Sequence, residues 1–281
     1  LERGIFRIFC RPRIPSPQPI IMSSTPSIER TILRPGYSIS SVLKGGWHLA
    51  GGHGPVDERQ AIGDMRAFVE AGITTFDCAD IYTGVETLIG KFLQQERDAF
   101  ASGALPPVQV HTKYVPDYDS LPVLRQQDTE RIIDRSLRRL GVERLDLVQF
   151  HWWDFSVPGY VETALCLTDL QRAGKICYVG VTNFDAAHLT ELLDAGVPVL
   201  SNQVQYSVLD CRPAADLTDL AAHHDISLLG YGTIAGGFLS DRYLEAPAPS
   251  PPLDNRSLVK YRLIIEEFGG YEPFQALLRD L

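Results

Sequence analysis

Asp77, Tyr82, Lys113 and His151 are the residues of this chain whose types and spacing suit catalysis. Each lies at, or just beyond, the C-terminal end of a short apolar run: Ile73–Asp77, Val108–Lys113 and Leu145–His151. A phenol with an ordinary pKa of about 10 is a poor acid–base catalyst near neutrality. An ammonium beside it favours the phenolate, and a carboxylate can hold that ammonium in place. An imidazole on the next strand end adds a hydrogen-bond donor. Together these groups suit carbonyl reduction, in which the developing alkoxide needs a proton and the oxygen needs polarising. Singly, each has a plainer role, as a wall tyrosine, a structural ion pair, or a core histidine beside Trp152 and Trp153. The joint occurrence carries the reading.

The elements that must position these groups are legible as an alternation. Strand-like runs cover Ile39–Trp47, Ile73–Asp77, Val108–Lys113, Leu145–His151, Ile176–Val181, Val199–Gln205 and Ile226–Tyr231. Helical patterns lie between them, at Asp57–Ala71, Val85–Gln95, Leu124–Leu140, Val157–Ala173, Ala186–Ala195 and Ala214–His223. Gly72, Gly141, Gly174 and Gly196 follow four of these helices, where glycine suits a left-handed cap. Regular alternation means parallel strands joined by right-handed crossovers. An open doubly wound sheet would spread Asp77, Lys113, His151, Asn183, Gln203 and Tyr231 along a crevice, whereas a barrel gathers them at one mouth. The expectation is therefore α/β, a (β/α)8 barrel that is incomplete. Seven strands are recognisable, and the Pro-rich stretch Ala246–Pro252 leads to two helices, Leu258–Phe268 and Pro273–Leu281, with no eighth strand.

Several motifs recur in order at the strand ends: Phe76-Asp77-Cys78-Ala79-Asp80-Ile81-Tyr82 with Glu86, His111-Thr112-Lys113, Leu145 to His151, Gly174-Lys175-Ile176 through Gly180-Val181-Thr182-Asn183-Phe184, Asn202 to Tyr206, and Gly230-Tyr231-Gly232. This set resembles the aldo-keto reductases, from about residue 38 to the C-terminus. The resemblance implies an oxidoreductase passing hydride between NAD(P)H and an aldehyde, ketone or sugar carbonyl. Asp77, Tyr82, Lys113 and His151 would form its tetrad, with Tyr82 as proton donor. It further implies that Thr182, Asn183 and Gln203 bind the nicotinamide carboxamide and that the ring stacks on Tyr231. Amide and hydroxyl groups suit a carboxamide, and an aromatic face suits stacking. The plainer reading of Asn183 is an N-cap for the helix that follows. Trp47 and Trp152 are expected to line the substrate mouth, Trp47 having a core role as its alternative. NADP is the cofactor expected from the resemblance, with NAD open, because the family's C-terminal basic cluster for the 2′-phosphate is missing here. Thr182 replaces the usual serine. The alternative function is a catalytically weak, cofactor-binding regulatory protein of the same fold; a third reading, a barrel hydrolase with two carboxylates, leaves Tyr82 and Lys113 unexplained.

Composition narrows the rest. A net charge of −9 argues against nucleic-acid binding. No apolar run approaches the ~20 residues of a membrane span. Cys10, Cys78, Cys166, Cys177 and Cys211 show no paired spacing and read as reduced thiols of a cytoplasmic protein. His48, His53, His188, Glu191, His223 and His224 do not form a recognisable metal-ligand pattern, so no metal is expected. Gly230 to Ala235 fits a loose GxGxxG/A pattern, discounted because a proline loop follows instead of a helix. Residues 1–37 are expected to be a disordered extension to a domain spanning 38–281. Within it, 1–21 carries Arg3, Arg7, Arg11 and Arg13 and reads as upstream sequence before Met22, or as an organellar leader. Loss of the last strand is expected to weaken folding and turnover.

Overall fold

The computed structural model describes residues 28–281. The readings of residues 1–21 and of Cys10 lie outside that range. A hairpin comes first, β1 (Arg30–Arg34) pairing antiparallel with β2 (Tyr37–Ser40). Seven parallel strands follow, neighbours in chain order: β3 (Lys44–Gly45), β4 (Thr75–Asp77), β5 (Gln109–Tyr114), β6 (Leu145–Phe150), β7 (Ile176–Thr182), β8 (Val199–Gln205) and β9 (Ser227–Tyr231). They curl into a half-barrel with helices outside. The helices are α1 (Glu58–Glu70), α2 (Val85–Gln95), α3 (Arg97–Ser102), α4 (Gln126–Leu140), α5 (Tyr160–Arg172), α6 (Ala186–Asp194), α7 (Asp216–His223), α8 (Arg256–Phe268) and α9 (Tyr271–Asp280). Among the described residues no strand joins β3 to β9.

The expected strand Ile39–Trp47 is divided. Tyr37–Ser40 belongs to the hairpin, and only Lys44–Gly45 joins the sheet. Ser40 fixes this corner: its hydroxyl accepts the Thr74 and Thr75 amides at 3.2 and 3.1 Å and donates to the Val42 carbonyl at 2.8 Å. Ordered structure also begins before residue 38. Leu33, Tyr37 and Ile39 are buried against Leu147 and Leu200, so the hairpin floors the half-barrel. A bulge between Ile32 and Arg34 interrupts the alternation that would have marked β1 as a strand.

The main core lies between the sheet and its helices, with Phe76, Phe92, Val148, Phe150 and Ile133 among its fully buried side chains. Helices α2 and α4 cross so closely that a Cβ at Gly90 would run into the Arg139 carbonyl oxygen. A second cluster unites Phe238 and Tyr243 with Leu258, Tyr261 and Ile265 of α8 and Phe274 of α9. Helix α8 meets the loop after β3 and the turn after β9. At its start His53 Nε2 meets the Ser257 hydroxyl at 2.9 Å, while Tyr261 packs so tightly on Gly232, just after β9, that no side chain fits there.

Ile39 is 1% exposed. Ile39→Ala should therefore lower stability by about 2–4 kcal/mol, measured by urea unfolding; a change within error would show that the hairpin is not integral to the core.

Candidate active site

The C-terminal ends of β4, β5, β6 and β8 bring a carboxylate, an ammonium and two amides together. Lys113 Nζ donates to Asp77 Oδ1 and Oδ2 at 2.8 and 2.6 Å, and to the Cys78 carbonyl at 3.1 Å. Gln149 and Gln203 each donate an amide hydrogen to Asp77 Oδ1, at 2.9 and 2.8 Å. The strand register explains the convergence: Asp77 pairs with His111, two residues before Lys113, and Lys113 pairs with Gln149. Both members of the ion pair are largely buried.

Tyr82 stands on the turn after β4, its ring centroid 5.4 Å from Lys113 Nζ. No hydrogen bond joins its hydroxyl to another described residue. Burial, with Asp77 and Cys78 adding to it, raises the Tyr82 pKa above the ordinary tyrosine value. The lowering expected from Lys113 does not appear, because burial outweighs it. The phenol thus stays protonated. Trp47, in the turn after β3, lies 5.3 Å from the Tyr82 ring.

His151 follows β6. Its Nδ1 lies 3.3 Å from the Thr182 carbonyl, which can only accept, so the proton sits on Nδ1 and Nε2 remains for a ligand. Burial lowers the His151 pKa, the Thr182 contact opposing it. Trp153 packs edge-on against His151 at 4.7 Å and is 49% exposed. Trp152, expected at the mouth, points the other way: it is 2% exposed, packs on Phe150 and Tyr160, and donates to the Val157 carbonyl. Two adjacent tryptophans face opposite sides of the chain, and the outer one is the rim residue.

The residues expected to hold a carboxamide form one group. Asn183 has a positive φ of 59° and does not cap the next helix; Asp185 does, accepting the His188 amide. Asn183 Oδ1 accepts from the Tyr231 hydroxyl at 2.9 Å. Thr182 donates its hydroxyl to the Gln203 carbonyl at 2.9 Å, so its hydrogen is committed to the backbone. Asn183 Nδ2 and Gln203 Oε1 have no partner among the described residues. One is a donor and the other an acceptor, which is the complement of a carboxamide.

Sequence reasoning passed over the support beneath the turn after β4. Asp80 accepts the Val115 amide at 3.1 Å and Arg135 at 3.2 Å. Glu86 accepts from Thr112 at 2.7 Å and from Arg139 at 3.1 Å. Arg139 also donates to the Asp80 carbonyl at 2.9 Å. These two buried acids face arginines five and one residues before the end of α4, more than 50 residues away along the chain. Among the described residues no three His, Cys, Asp or Glu side chains gather as a metal site, and no helix is long and apolar enough to cross a membrane.

A family model described as aldo/keto reductase matches residues 41–280. The chain is 30% identical over 216 residues to the aldo-keto reductase YhdN of Bacillus subtilis, covering 75% of this chain and 63% of that one. It thus spans less than two thirds of that relative's length. Among solved structures it matches a Klebsiella pneumoniae aldo/keto reductase in complex with NADP and acetate, at 25% identity and TM-score 0.58, over 72% of this chain and 66% of that one. It also matches the holo form of a Bacillus halodurans aldo-keto reductase, at 27% identity and TM-score 0.62, over 82% and 73%.

Burial pushes the Asp80 carboxyl up to about 7, from an ordinary value of 3.8. The folded state therefore holds this proton more tightly than the unfolded state does. That contribution is complete below the unfolded pKa and disappears as pH rises through about 7. Asp80→Asn should flatten this dependence, so that between pH 5 and 8 the Tm of the wild type falls relative to the variant; parallel melting curves would refute the assignment.

Proposed function

The chain belongs to the aldo/keto reductase family, and we propose that it acts as an NAD(P)H-dependent carbonyl reductase through Tyr82, Lys113, Asp77 and His151. The supporting observation is the Asp77–Lys113 pair, 2.6 Å apart at the rim beside the Tyr82 ring. A bound reduced nicotinamide dinucleotide would supply the hydride. Asn183 Nδ2 and Gln203 Oε1 would hold its carboxamide, and Tyr231 would offer a ring face. NADP is the form the resemblance favours, and these carboxamide groups accept NAD equally.

Tyr82 supplies the proton. A phenol with a raised pKa stays protonated across the neutral range and still gives its proton to an alkoxide, the stronger base. Lys113, anchored by Asp77, places positive charge where the phenolate forms after transfer. His151 donates to the carbonyl oxygen through Nε2 when its ring is protonated; the neutral ring, with its hydrogen on Nδ1, presents only an acceptor there. Its polarising contribution therefore grows as pH falls toward its lowered pKa. Trp47 and Trp153 frame an aldehyde, ketone or sugar carbonyl between aromatic walls.

Tyr82→Phe should reduce NADPH-dependent reduction of an aromatic aldehyde by about 10²–10⁴-fold, with NADPH binding retained. Absorbance at the reduced nicotinamide band follows turnover, and fluorescence titration follows binding. Undiminished turnover in the variant would remove Tyr82 from the reaction.

A further inference from the structure

The aromatic face at the end of β9 already carries a cation. Lys260 of α8 sets its ammonium 4.4 Å from the Tyr231 centroid and 5.3 Å from that of Tyr261. It has no carboxylate partner among the described residues. Asp210, the acid that acts on it electrostatically, is held by Arg212 at 2.7 and 2.8 Å and by Gln205 at 2.7 Å. The charge on Lys260 is therefore met by π-electrons, and packing around the ammonium lowers its pKa although the residue as a whole stays exposed. Lys260 and Tyr231 line one cavity of about 630 Å³ with Asn183, Gln205, Asp210 and Arg212.

We propose that Lys260 selects the redox form of the dinucleotide, favouring the reduced nicotinamide over the oxidised one. This rests on the reading that the nicotinamide stacks on Tyr231. The oxidised ring carries a positive charge and the reduced ring is neutral. An ammonium 4.4 Å from the Tyr231 centroid is close to any nicotinamide stacked on that ring, where like-charge repulsion penalises only the oxidised form. Between charges about 8 Å apart near a partly exposed surface, the expected discrimination is about three- to tenfold. A lysine serving the cofactor's phosphates would behave differently, because both redox forms carry the same phosphates.

The test compares dissociation constants of NADPH and NADP⁺ for the full chain and for Lys260→Gln, Lys260→Met and Lys260→Arg. Intrinsic tryptophan quenching and displacement of fluorescent NADPH give the two values. In Lys260→Gln and Lys260→Met the ratio of the NADP⁺ to the NADPH constant should fall about three- to tenfold, while Lys260→Arg keeps the wild-type ratio. Lys260→Met retains the apolar stem, so lost packing is separated from lost charge. Equal weakening of both forms, or an unmoved ratio, overturns the proposal and leaves the carbonyl-reductase reading standing. Failure of the wild type to bind either form overturns both.

Discussion

One buried ion pair organises the mouth of this half-barrel. Asp77 receives Lys113 on both oxygens and two glutamine amides besides, so donors from three further strands converge on one carboxylate. A buried pair is stabilised against its desolvation only when its remaining lone pairs are satisfied, and removing either partner costs about 3–5 kcal/mol. The relative positions of β4, β5, β6 and β8 at the rim are thus tied to a single charge. Tyr82 sits beside the same pair, and burial, with the Asp77 charge adding to it, keeps the proton on its phenol.

The site satisfies itself without a ligand, yet incompletely. Tyr231 bonds Asn183, Gln203 bonds Asp77, and Thr182 bonds the backbone. Among the groups around Tyr231, what remains is one amide donor, Asn183 Nδ2, and one amide acceptor, Gln203 Oε1, while Gln149 Oε1 is buried beside Asp77 without a partner. Such a remainder preorganises the recognition of a planar amide, because the groups are held by their other contacts before anything arrives. The floor is equally committed: Tyr37 of the hairpin meets His111 Nε2 at 2.9 Å, and burial brings the His111 pKa down to about 4, keeping it neutral beneath Lys113.

Much of this architecture was written in local pattern. Strands from Thr75 onward and the six main helices between them follow from apolar runs, glycine stops and caps such as Asp57, each a property of neighbouring residues. The hairpin was not legible because its bulge breaks the period, and α3 was missed because six residues give no helical stripe. Which of Trp152 and Trp153 meets the mouth depends on how the chain leaves β6, information that composition does not carry. The roles of Asp80 and Glu86 arise from arginines more than 50 residues away.

The link from the loop after β3 to Gly232 through α8 has a mechanical meaning. A closed barrel fixes its circumference with a continuous ladder of backbone hydrogen bonds, each short and directional. Here α8 runs from the loop after β3, held by the Arg256 amide on the Gly52 carbonyl and an imidazole on a serine hydroxyl, to the turn after β9, where a tyrosine lodges against a glycine. Contacts of that kind stretch and slide where a ladder would break. One helix thus holds the loop after the first sheet strand and the turn after the last, so a displacement of α8 would act on both edges of the mouth at once.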